Sequence, residues 1–280
     1  MMILGINNRQ LLIAGILFVL LGGVIVLYRP VEESASGILQ LQPTSGALTV
    51  LFDNYLYESS CQTEWGYSCL VETPEMTVLF DTGGEPTVLA HNIEALDVDV
   101  QEIDCIVLSH EHWDHIGGLE VILGQKPNTP VYVPGDFPYH VMSSIRSMGG
   151  DCVELGNATK ITESIAVTDT LDGPPVEHAL IIKTGEGIIL VTGCSHPGVQ
   201  NLARNAYELT EDTIQLVIGG YHLGSATNYM LDRVCDELDE NGVECVSATH
   251  CTGDESIQYF RERYGENYIE SGAGFHYEFV

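Results

Sequence analysis

The stretch "LSHEHWDHIGGL" (residues 108–119) follows a run of valine, isoleucine and leucine and places three histidines and two acids within six positions. His110 and His112 are two residues apart, so in an extended segment their side chains point to the same side. Two imidazoles on one side can hold one metal ion. This crowded strand end therefore predicts a metal site and, with it, the fold around that site.

The second half of the stretch predicts a second ion. Asp114 and His115 come where the chain turns into a segment with helical spacing, so they can face an ion beside the first. Imidazole and carboxylate ligands together suit zinc, iron or manganese. A metal ion needs three or four protein ligands, and the stretch supplies two to each ion. The remaining ligands must come from elsewhere in the chain.

Five predicted strands end in a loop that carries an Asp or a His. These are Asp81 in "VLFDTGG", the histidine cluster itself, His196 in "IILVTGCSH", His222 in "LVIGGYH" and His250 in "CVSATHCTG". A single His at a strand end is more often an ordinary polar residue, but six of the ten histidines lie at such ends. If these ends converge, they form one polar site on a rigid scaffold. His196 and His250 are then the natural completing ligands.

The rest of the chain predicts two sheets packed face to face, with helices outside. Short β-branched runs predict early strands at residues 47–53, 67–72, 76–82, 104–109 and 130–133, and later strands follow. We expect Asp136 and Asp254 to cap two helices, the second of which ends at Gly265. A third helix carries an apolar stripe at i, i+3, i+4 and i+7, formed by Leu231, Val234, Cys235 and Leu238.

Residues 11–28 contain no charge and would span about 27 Å as a helix, close to the thickness of a bilayer core. A signal peptide or a buried helix are the alternatives, but no convincing cleavage site follows and the segment has no polar face. We predict an uncleaved membrane anchor after a flank at residues 1–10. Arg9 and Arg29 stand on either side, which leaves the orientation open. Residues 29–47 read as a linker and residues 48–280 as the folded domain.

The chain is strongly acidic, with 40 Asp and Glu against 10 Lys and Arg and a net charge of −30. Such a surface repels nucleic-acid backbones and anionic lipid, so a nuclease is disfavoured. A cationic partner is one interpretation. We favour adaptation to high salt, because the composition resembles that of proteins from salt-accumulating halophiles.

The eight cysteines include no CxxC pair, and most lie within apolar strand or helix patterns. They read as small buried thiols. A disulfide between Cys61 and Cys69, which flank a loop, stays open if the domain lies outside the cell.

The segment "HEHWDH" matches the HxHxDH signature of the metallo-β-lactamase fold. More narrowly, "FDTG", "LSHEHWDHIGGL", "VTGCSHPGVQN", "IGGYHL" and "THCTG", in this order, resemble the subgroup of dihydropterin–ribofuranosylaminobenzene phosphate synthases. The resemblance implies an αββα sandwich of α/β class over residues 48–280, with a binuclear metal site between the two sheets.

The resemblance also implies a ligand set for two divalent ions, with zinc preferred and iron or manganese as alternatives. The first ion would be held by His110, His112 and His196, and the second by Asp114, His115 and His250. Asp81 would orient a ligand histidine. Asp114 and His222 are the candidate catalytic residues, and His222 is a further ligand, a substrate contact or a proton donor.

One position departs from the wider fold, where many hydrolases have an Asp that bridges the two metals. Here Cys194 of "TGCSH" takes that place. The thiol is a ligand, an oxidisable group or a packed residue close to the ligands, and we favour the last. Glu111 and Trp113 read as spacers.

The expected chemistry follows from this site. A bound metal lowers the pKa of a water molecule to about 7, and two metals stabilise both incoming and departing charge. This supports hydrolysis, or a dihydropterin-type transfer, on a small anionic substrate. The alternative function is a non-catalytic metal-binding or redox-sensing protein anchored in the membrane. A β-lactamase or lactonase is a weaker third reading.

Overall fold

The computed structural model describes Glu32, Glu33 and residues 37–280. Within this part of the chain, seven α-helices flank two sheets of seven strands each. The strands are β1 (Glu32–Glu33), β2 (Gly46–Phe52), β3 (Ser68–Glu72), β4 (Thr77–Phe80), β5 (Cys105–Val107), β6 (Pro130–Pro134), β7 (Asp151–Leu155), β8 (Thr159–Lys160), β9 (Ile165–Val167), β10 (Leu180–Thr184), β11 (Gly187–Thr192), β12 (Ile214–Gly220), β13 (Val243–Thr249) and β14 (His276–Phe279).

The helices are α1 (Pro86–Ala95), α2 (Trp113–Ile116), α3 (Leu119–Leu123), α4 (Tyr139–Ser147), α5 (Val199–Thr210), α6 (Asn228–Glu240) and α7 (Asp254–Tyr264). One sheet has the strand order β14-β2-β3-β4-β5-β6-β7, and the other has β1-β8-β9-β10-β11-β12-β13. Strands β4 to β7 pair in parallel, as do β11 to β13. The carboxyl ends of each parallel set therefore point the same way.

Alternating side chains divide the interior into three apolar layers. In β4, Val78 and Phe80 enter the layer between the sheets, while Leu79 enters the layer under the helices. In β11, Ile189 faces the layer between the sheets and Leu190 faces the opposite helix layer. Successive strand side chains point to opposite faces, so an almost wholly apolar strand is buried on both sides. The predicted αββα sandwich is confirmed.

Helix predictions had mixed success. The stripe of α6 is confirmed, because Leu231, Val234, Cys235 and Leu238 are its buried residues. Asp136 does not cap α4, whose first turn is preceded by Pro138 without a side-chain cap. Asp254 is the first residue of α7, not its cap, and it accepts a hydrogen bond from the Tyr55 hydroxyl.

The helix predicted after His115 is broken into α2 and α3 at Gly117 and Gly118. A Cβ atom at Gly117 would lie 2.2 Å from the Gly84 carbonyl oxygen, and one at Gly118 would lie 2.2 Å from that of Thr82. Only glycine permits so close an approach of two backbones. The break thus brings the start of α2 against the loop that follows β4.

The carboxyl end of the predicted linker at residues 29–47 is attached to the folded domain and is not a free tether. The backbone N–H groups of Leu39, Gln42 and Thr44 donate to carbonyls of the domain, and the Leu39 side chain is buried in its core. The predicted anchor at residues 11–28 lies outside the described residues. Among the helices of the described part, none has the length and apolar character needed to cross a bilayer.

All eight cysteines carry free thiols in the structure. Cys61 and Cys69, the pair left open from the sequence, are both buried and unbridged.

Candidate metal centre

Five loops that follow parallel strands bring their polar side chains together at one edge of the sandwich. Asp81 follows β4, His110 follows β5, and Cys194 with His196 follows β11. His222 follows β12, and His250 follows β13. The convergence expected from the sequence is therefore present, and both sheets contribute to it.

The first cluster consists of His110, His112 and His196, and one ring nitrogen of each lies within 4.8 Å of the other two. The ring centroids are 4.7 Å apart for His110 and His112, and 4.8 Å for each of the other two pairs. The Nε2 atoms of His110 and His196 are buried without a hydrogen-bond partner. Buried polar atoms are nearly always satisfied, so these two nitrogens fit a cation as their missing partner.

The second cluster consists of Asp114, His115, Cys194 and His250, whose ligand atoms also lie within 4.8 Å of one another. Asp114 Oδ2 is 3.8 Å from His115 Nε2 and 3.5 Å from His250 Nε2. Cys194 Sγ is 3.2 Å from His115 Nε2 and 3.4 Å from His250 Nε2. Two imidazoles, a carboxylate and a thiol are a donor set that suits zinc or iron.

Three imidazoles are fixed by hydrogen bonds from their far nitrogen. His115 Nδ1 donates to Asp81 Oδ2 at 2.7 Å, and His110 Nδ1 donates at 2.8 Å to the Ser109 hydroxyl, which itself donates to Asp81. His250 Nδ1 donates to the Asn54 side-chain oxygen at 2.8 Å. Such bonds hold the tautomer in which Nε2 carries the free lone pair, as metal-ligand histidines require.

The charges of the site follow from burial and from these contacts. Burial, and then the neighbouring histidines, hold the pKa of His110 well below its usual range, and similar causes lower that of His196 to about 3. Burial opposes protonation of His115, but the Asp81 carboxylate outweighs it and raises the pKa of His115 to about 9. Although burial favours its protonated form, hydrogen bonding to His250 and the charge of His115 lower the pKa of Asp114. A cation bound in the second cluster must displace the proton of His115.

Four residues of the site adopt backbone conformations that are costly for residues other than glycine. Asp81, Ser195, His222 and His250 have φ angles of 54°, 60°, 53° and 51°. Left-handed conformations of this kind cost on the order of 1–3 kcal/mol each and persist only where the surrounding structure enforces them. Here they turn the chain sharply at the strand ends and aim the side chains at the clusters.

Cys194, for which the sequence favoured a packed residue close to the ligands, is 2% exposed, and its sulfur lies within 4.8 Å of the ligand atoms of the second cluster. This placement fits both a packed thiol and a ligand. The sequence could not distinguish these cases, because its apolar strand pattern fits a packed thiol equally well.

Glu177 is a residue that sequence reasoning missed. Its buried carboxylate accepts hydrogen bonds from the backbone N–H groups of Cys194, Ser195 and His196 at 3.0, 2.9 and 2.8 Å. It thereby holds the loop that supplies one ligand to each cluster. Burial raises the pKa of Glu177 to about 7, although the N–H groups of His196 and Ser195 act in the opposite direction. Nothing in "PPVEHAL" distinguishes this acid from the many on the surface.

Asn54 and Trp65 were missed for the same reason. The side chain of Asn54 makes two hydrogen bonds to His250. Its amide N–H donates to the His250 backbone carbonyl, and its amide oxygen accepts from the His250 ring. Trp65 donates from Nε1 to Asp114 Oδ2 at 2.8 Å. Both residues lie far from their partners in sequence, so no local pattern connects them.

His222 lies beside the two clusters and outside both. Its ring centroid is 4.3 Å from that of His196, and the side chain is exposed. It also groups with Cys194 and Cys251, with ligand atoms within 4.8 Å of one another.

Basic side chains are absent from both clusters among the described residues. Of the ten Lys and Arg, Arg9 and Arg29 lie outside the described part, and the other eight bond to groups away from the clusters. Lys183, for example, pairs with Asp212, and Arg261 pairs with Glu270. Any positive charge that attracts an anion to this site must therefore come mainly from bound cations.

The model of the metallo-beta-lactamase superfamily matches residues 66–202, a range that includes Asp81, the histidine motif, Cys194 and His196. The crystal structure of a metal-dependent hydrolase of the beta-lactamase superfamily superposes with a TM-score of 0.70 at 23% identity, covering 83% of this chain and 98% of that one. This similarity shows that the two proteins share a fold.

Two curated relatives come from Methanocaldococcus jannaschii. One is 7,8-dihydropterin-6-methyl-4-(β-D-ribofuranosyl)-aminobenzene-5'-phosphate synthase, 27% identical over 267 residues, covering 78% of this chain and 91% of the relative. The other is an uncharacterized protein, 28% identical over 236 residues, covering 74% of this chain and 90% of the relative.

Proposed function

Because the chain belongs to the metallo-β-lactamase superfamily, we propose that it is a binuclear metal-dependent enzyme that acts on a small anionic substrate. The observation that carries this proposal is the pair of adjacent ligand clusters, one of which has two buried imidazole nitrogens without a partner. A purely structural role for these histidines leaves those nitrogens unexplained.

We assign His110, His112 and His196 to one cation and Asp114, His115, Cys194 and His250 to the other. Divalent ions held there supply Lewis acidity, which acidifies water and polarises a phosphoryl or carbonyl oxygen. Zinc fits the nitrogen, oxygen and sulfur donors of the second cluster, and iron or manganese are the alternatives.

Within the described part of the chain, the clusters contain no basic side chain, which supports an anionic substrate that binds after the metals. The chain carries a net charge of −30, so without cations its field repels anions. With cations bound, the cluster region becomes the positive part of an acidic molecule. Substrate affinity should accordingly depend on metal content.

Two side chains are assigned to proton transfer. Asp114 is the one carboxylate in the clusters, and we assign it to orient the attacking water as well as to hold the second cation. Hydrogen bonding to Cys251 raises the pKa of His222, although burial opposes this shift, so the ring favours its protonated form. Because the His222 ring is exposed beside His196, we assign it to donate that proton to the departing oxygen of the substrate.

The relative that makes a dihydropterin–aminobenzene phosphate supports a phosphate-bearing or pterin-like substrate. Hydrolysis of a phosphoester breaks a P–O bond and leaves charge on the ester oxygen, whereas displacement of a phosphate group by an arylamine breaks a C–O bond and leaves charge on the departing phosphate. In both reactions the site must stabilise negative charge that develops on an oxygen bonded to phosphorus. We propose this shared chemistry as the activity.

A substrate panel on the metal-loaded full chain in molar salt tests the proposal. The panel contains a phosphodiester, a phosphomonoester, and a dihydropterin methyl-pyrophosphate offered with an aminobenzene. We expect turnover of at least one compound, its loss in His112→Ala, and its retention in His140→Ala, which replaces an exposed histidine of α4. Two bound ions without turnover of any compound would instead favour the non-catalytic metal-binding alternative.

Residues 11–28 are proposed as a membrane anchor on the strength of their uncharged sequence. We likewise propose a halophilic setting on the basis of the acidic amino-acid composition.

A further inference from the structure

A group of three side chains overlaps the second cluster, and two of its members have no part in holding the two proposed cations. It consists of Cys194, His222 and Cys251, whose ligand atoms lie within 4.8 Å of one another. Only Cys194 is shared with the second cluster. Cys251 lies in the turn after β13, directly after the ligand His250.

The Cys251 sulfur is directed toward the loop that carries Cys194. Its thiol donates to the Cys194 carbonyl oxygen at 3.6 Å. The space that it occupies exists because Gly220 has no side chain, since a Cβ atom there would lie 2.7 Å from the Cys251 sulfur. The two sulfurs are at most 4.8 Å apart, and rotation of the side chains has to close this gap to the S–S bond length of about 2 Å.

We propose that Cys194 and Cys251 are a modification site at which a hydroperoxide forms a reversible disulfide. The effect of this disulfide on metal binding follows from the geometry and rests on the proposed function. Cys194 is within 3.4 Å of two ligand nitrogens of the second cluster, so a bond to Cys251 withdraws a donor from that cluster. Oxidation therefore leaves the second cation with three donors and weakens its binding, so we expect this cation to be lost while the first cluster stays intact.

The reaction balances with hydroperoxide as the oxidant. The Cys251 sulfur attacks one peroxide oxygen, so an S–O bond forms, the O–O bond breaks, and the departing oxygen leaves as water or an alcohol after taking the thiol proton. The Cys194 sulfur then attacks the Cys251 sulfur, so the S–S bond forms and the S–O bond breaks. That oxygen leaves as water with the second thiol proton. The two thiols lose two electrons in total, and the peroxide gains them.

Access favours this order of events. Cys251 is 8% exposed and Cys194 is 2% exposed, so the first attack belongs to Cys251. The adjacent His222 is exposed and opens the group to small molecules from the solvent side. The low exposure of both thiols favours a small oxidant over a bulky disulfide reagent, which is why a peroxide is proposed.

The test treats the reduced full chain with hydrogen peroxide, then maps its cross-linked peptides by mass spectrometry and measures bound zinc per chain. We expect a Cys194–Cys251 link and a fall from two zinc ions to one, both reversed by dithiothreitol and fresh zinc. Cys251→Ser, which alters no residue of either cluster, should keep two ions after the same treatment. Cys245→Ser, a thiol at the far end of β13, should behave as the unaltered protein does.

Three results would overturn the proposal: no Cys194–Cys251 link, a link without loss of zinc, or loss of zinc in peroxide-treated Cys251→Ser. Cys251→Ala replaces the serine variant if that protein does not fold. Failure of the proposed function looks different, because the reduced, untreated chain would then bind fewer than two ions or turn over no compound of the substrate panel. Peptide mapping decides the disulfide in either case.

Discussion

Asp81 orients side chains of both clusters. One carboxylate oxygen accepts hydrogen bonds from His115 Nδ1 and the Ser109 hydroxyl, and the other accepts one from the Ser109 backbone. Through Ser109 it also reaches His110, so a single buried side chain orients a ligand of each cluster. The sequence predicted an orienting role for Asp81 but not its reach into both clusters.

Asp81→Asn should weaken metal binding while leaving the fold in place. The amide keeps the shape of the carboxylate but presents N–H groups to two donors. Loss of such an orienting partner costs about 10- to 100-fold in metal affinity. Competition with a chelator measures this, and Asp104→Asn, an exposed acid that accepts only a backbone bond, is the control. Equal affinity in the two variants would contradict the role of Asp81.

His178 provides a prediction about pH. Burial lowers the pKa of this histidine from 6.5 to about 4, so the folded protein holds it neutral. The resulting stability is fully present above pH 6.5 and is lost as the pH falls through about 4, by on the order of 3 kcal/mol.

Urea unfolding of the chelator-treated protein at several pH values measures this effect. His178→Gln should lose less free energy of unfolding between pH 6.5 and 4 than the unaltered chain, because glutamine does not titrate. Parallel losses in the two proteins would show that His178 does not contribute.

At the scale of elements, the loop after β11 depends on one buried acid. Glu177 accepts the backbone N–H groups of three successive residues, including Cys194 and His196. These two residues belong to different clusters, so the loop couples the two cation positions.

Glu177→Gln should lower the affinity of both positions together. The amide nitrogen of glutamine would face one N–H group and could not accept its hydrogen bond, and an unsatisfied buried group costs about 1–3 kcal/mol. Zinc titration of the variant checks this, with Glu186→Gln, an exposed acid on the neighbouring hairpin, as control. Loss from one position alone would contradict the coupling.

Elements were predictable where their pattern was local. The stripe of α6 and the apolar strands follow from helical and alternating spacing, and the motif histidines stand at strand ends that the same spacing defines. The division between α2 and α3 was not predictable, because it depends on backbone contact with residues 82–84. Glu177, Asn54 and Trp65 were missed because their partners lie 17 or more positions away: 17 to 19 for Glu177, 196 for Asn54 with His250, and 49 for Trp65 with Asp114.

At the scale of the whole molecule, the net charge of −30 predicts that salt stabilises the fold. Screening shortens the reach of charge repulsion from about 10 Å at 0.1 M salt to about 3 Å at 1 M. The urea midpoint should therefore rise with potassium chloride, whereas an uncharged co-solute at equal osmolality should raise it less. A midpoint independent of salt would contradict adaptation to a saline setting.

The central claim is that two neighbouring but distinct cation positions exist, and metal stoichiometry tests it most directly. Elemental analysis of the reduced full chain should find two ions per chain. His112→Ala and His250→Ala should each retain one ion, and the double variant should retain none. One ion in the unaltered chain, or two in either single variant, would contradict the assignment of the two clusters.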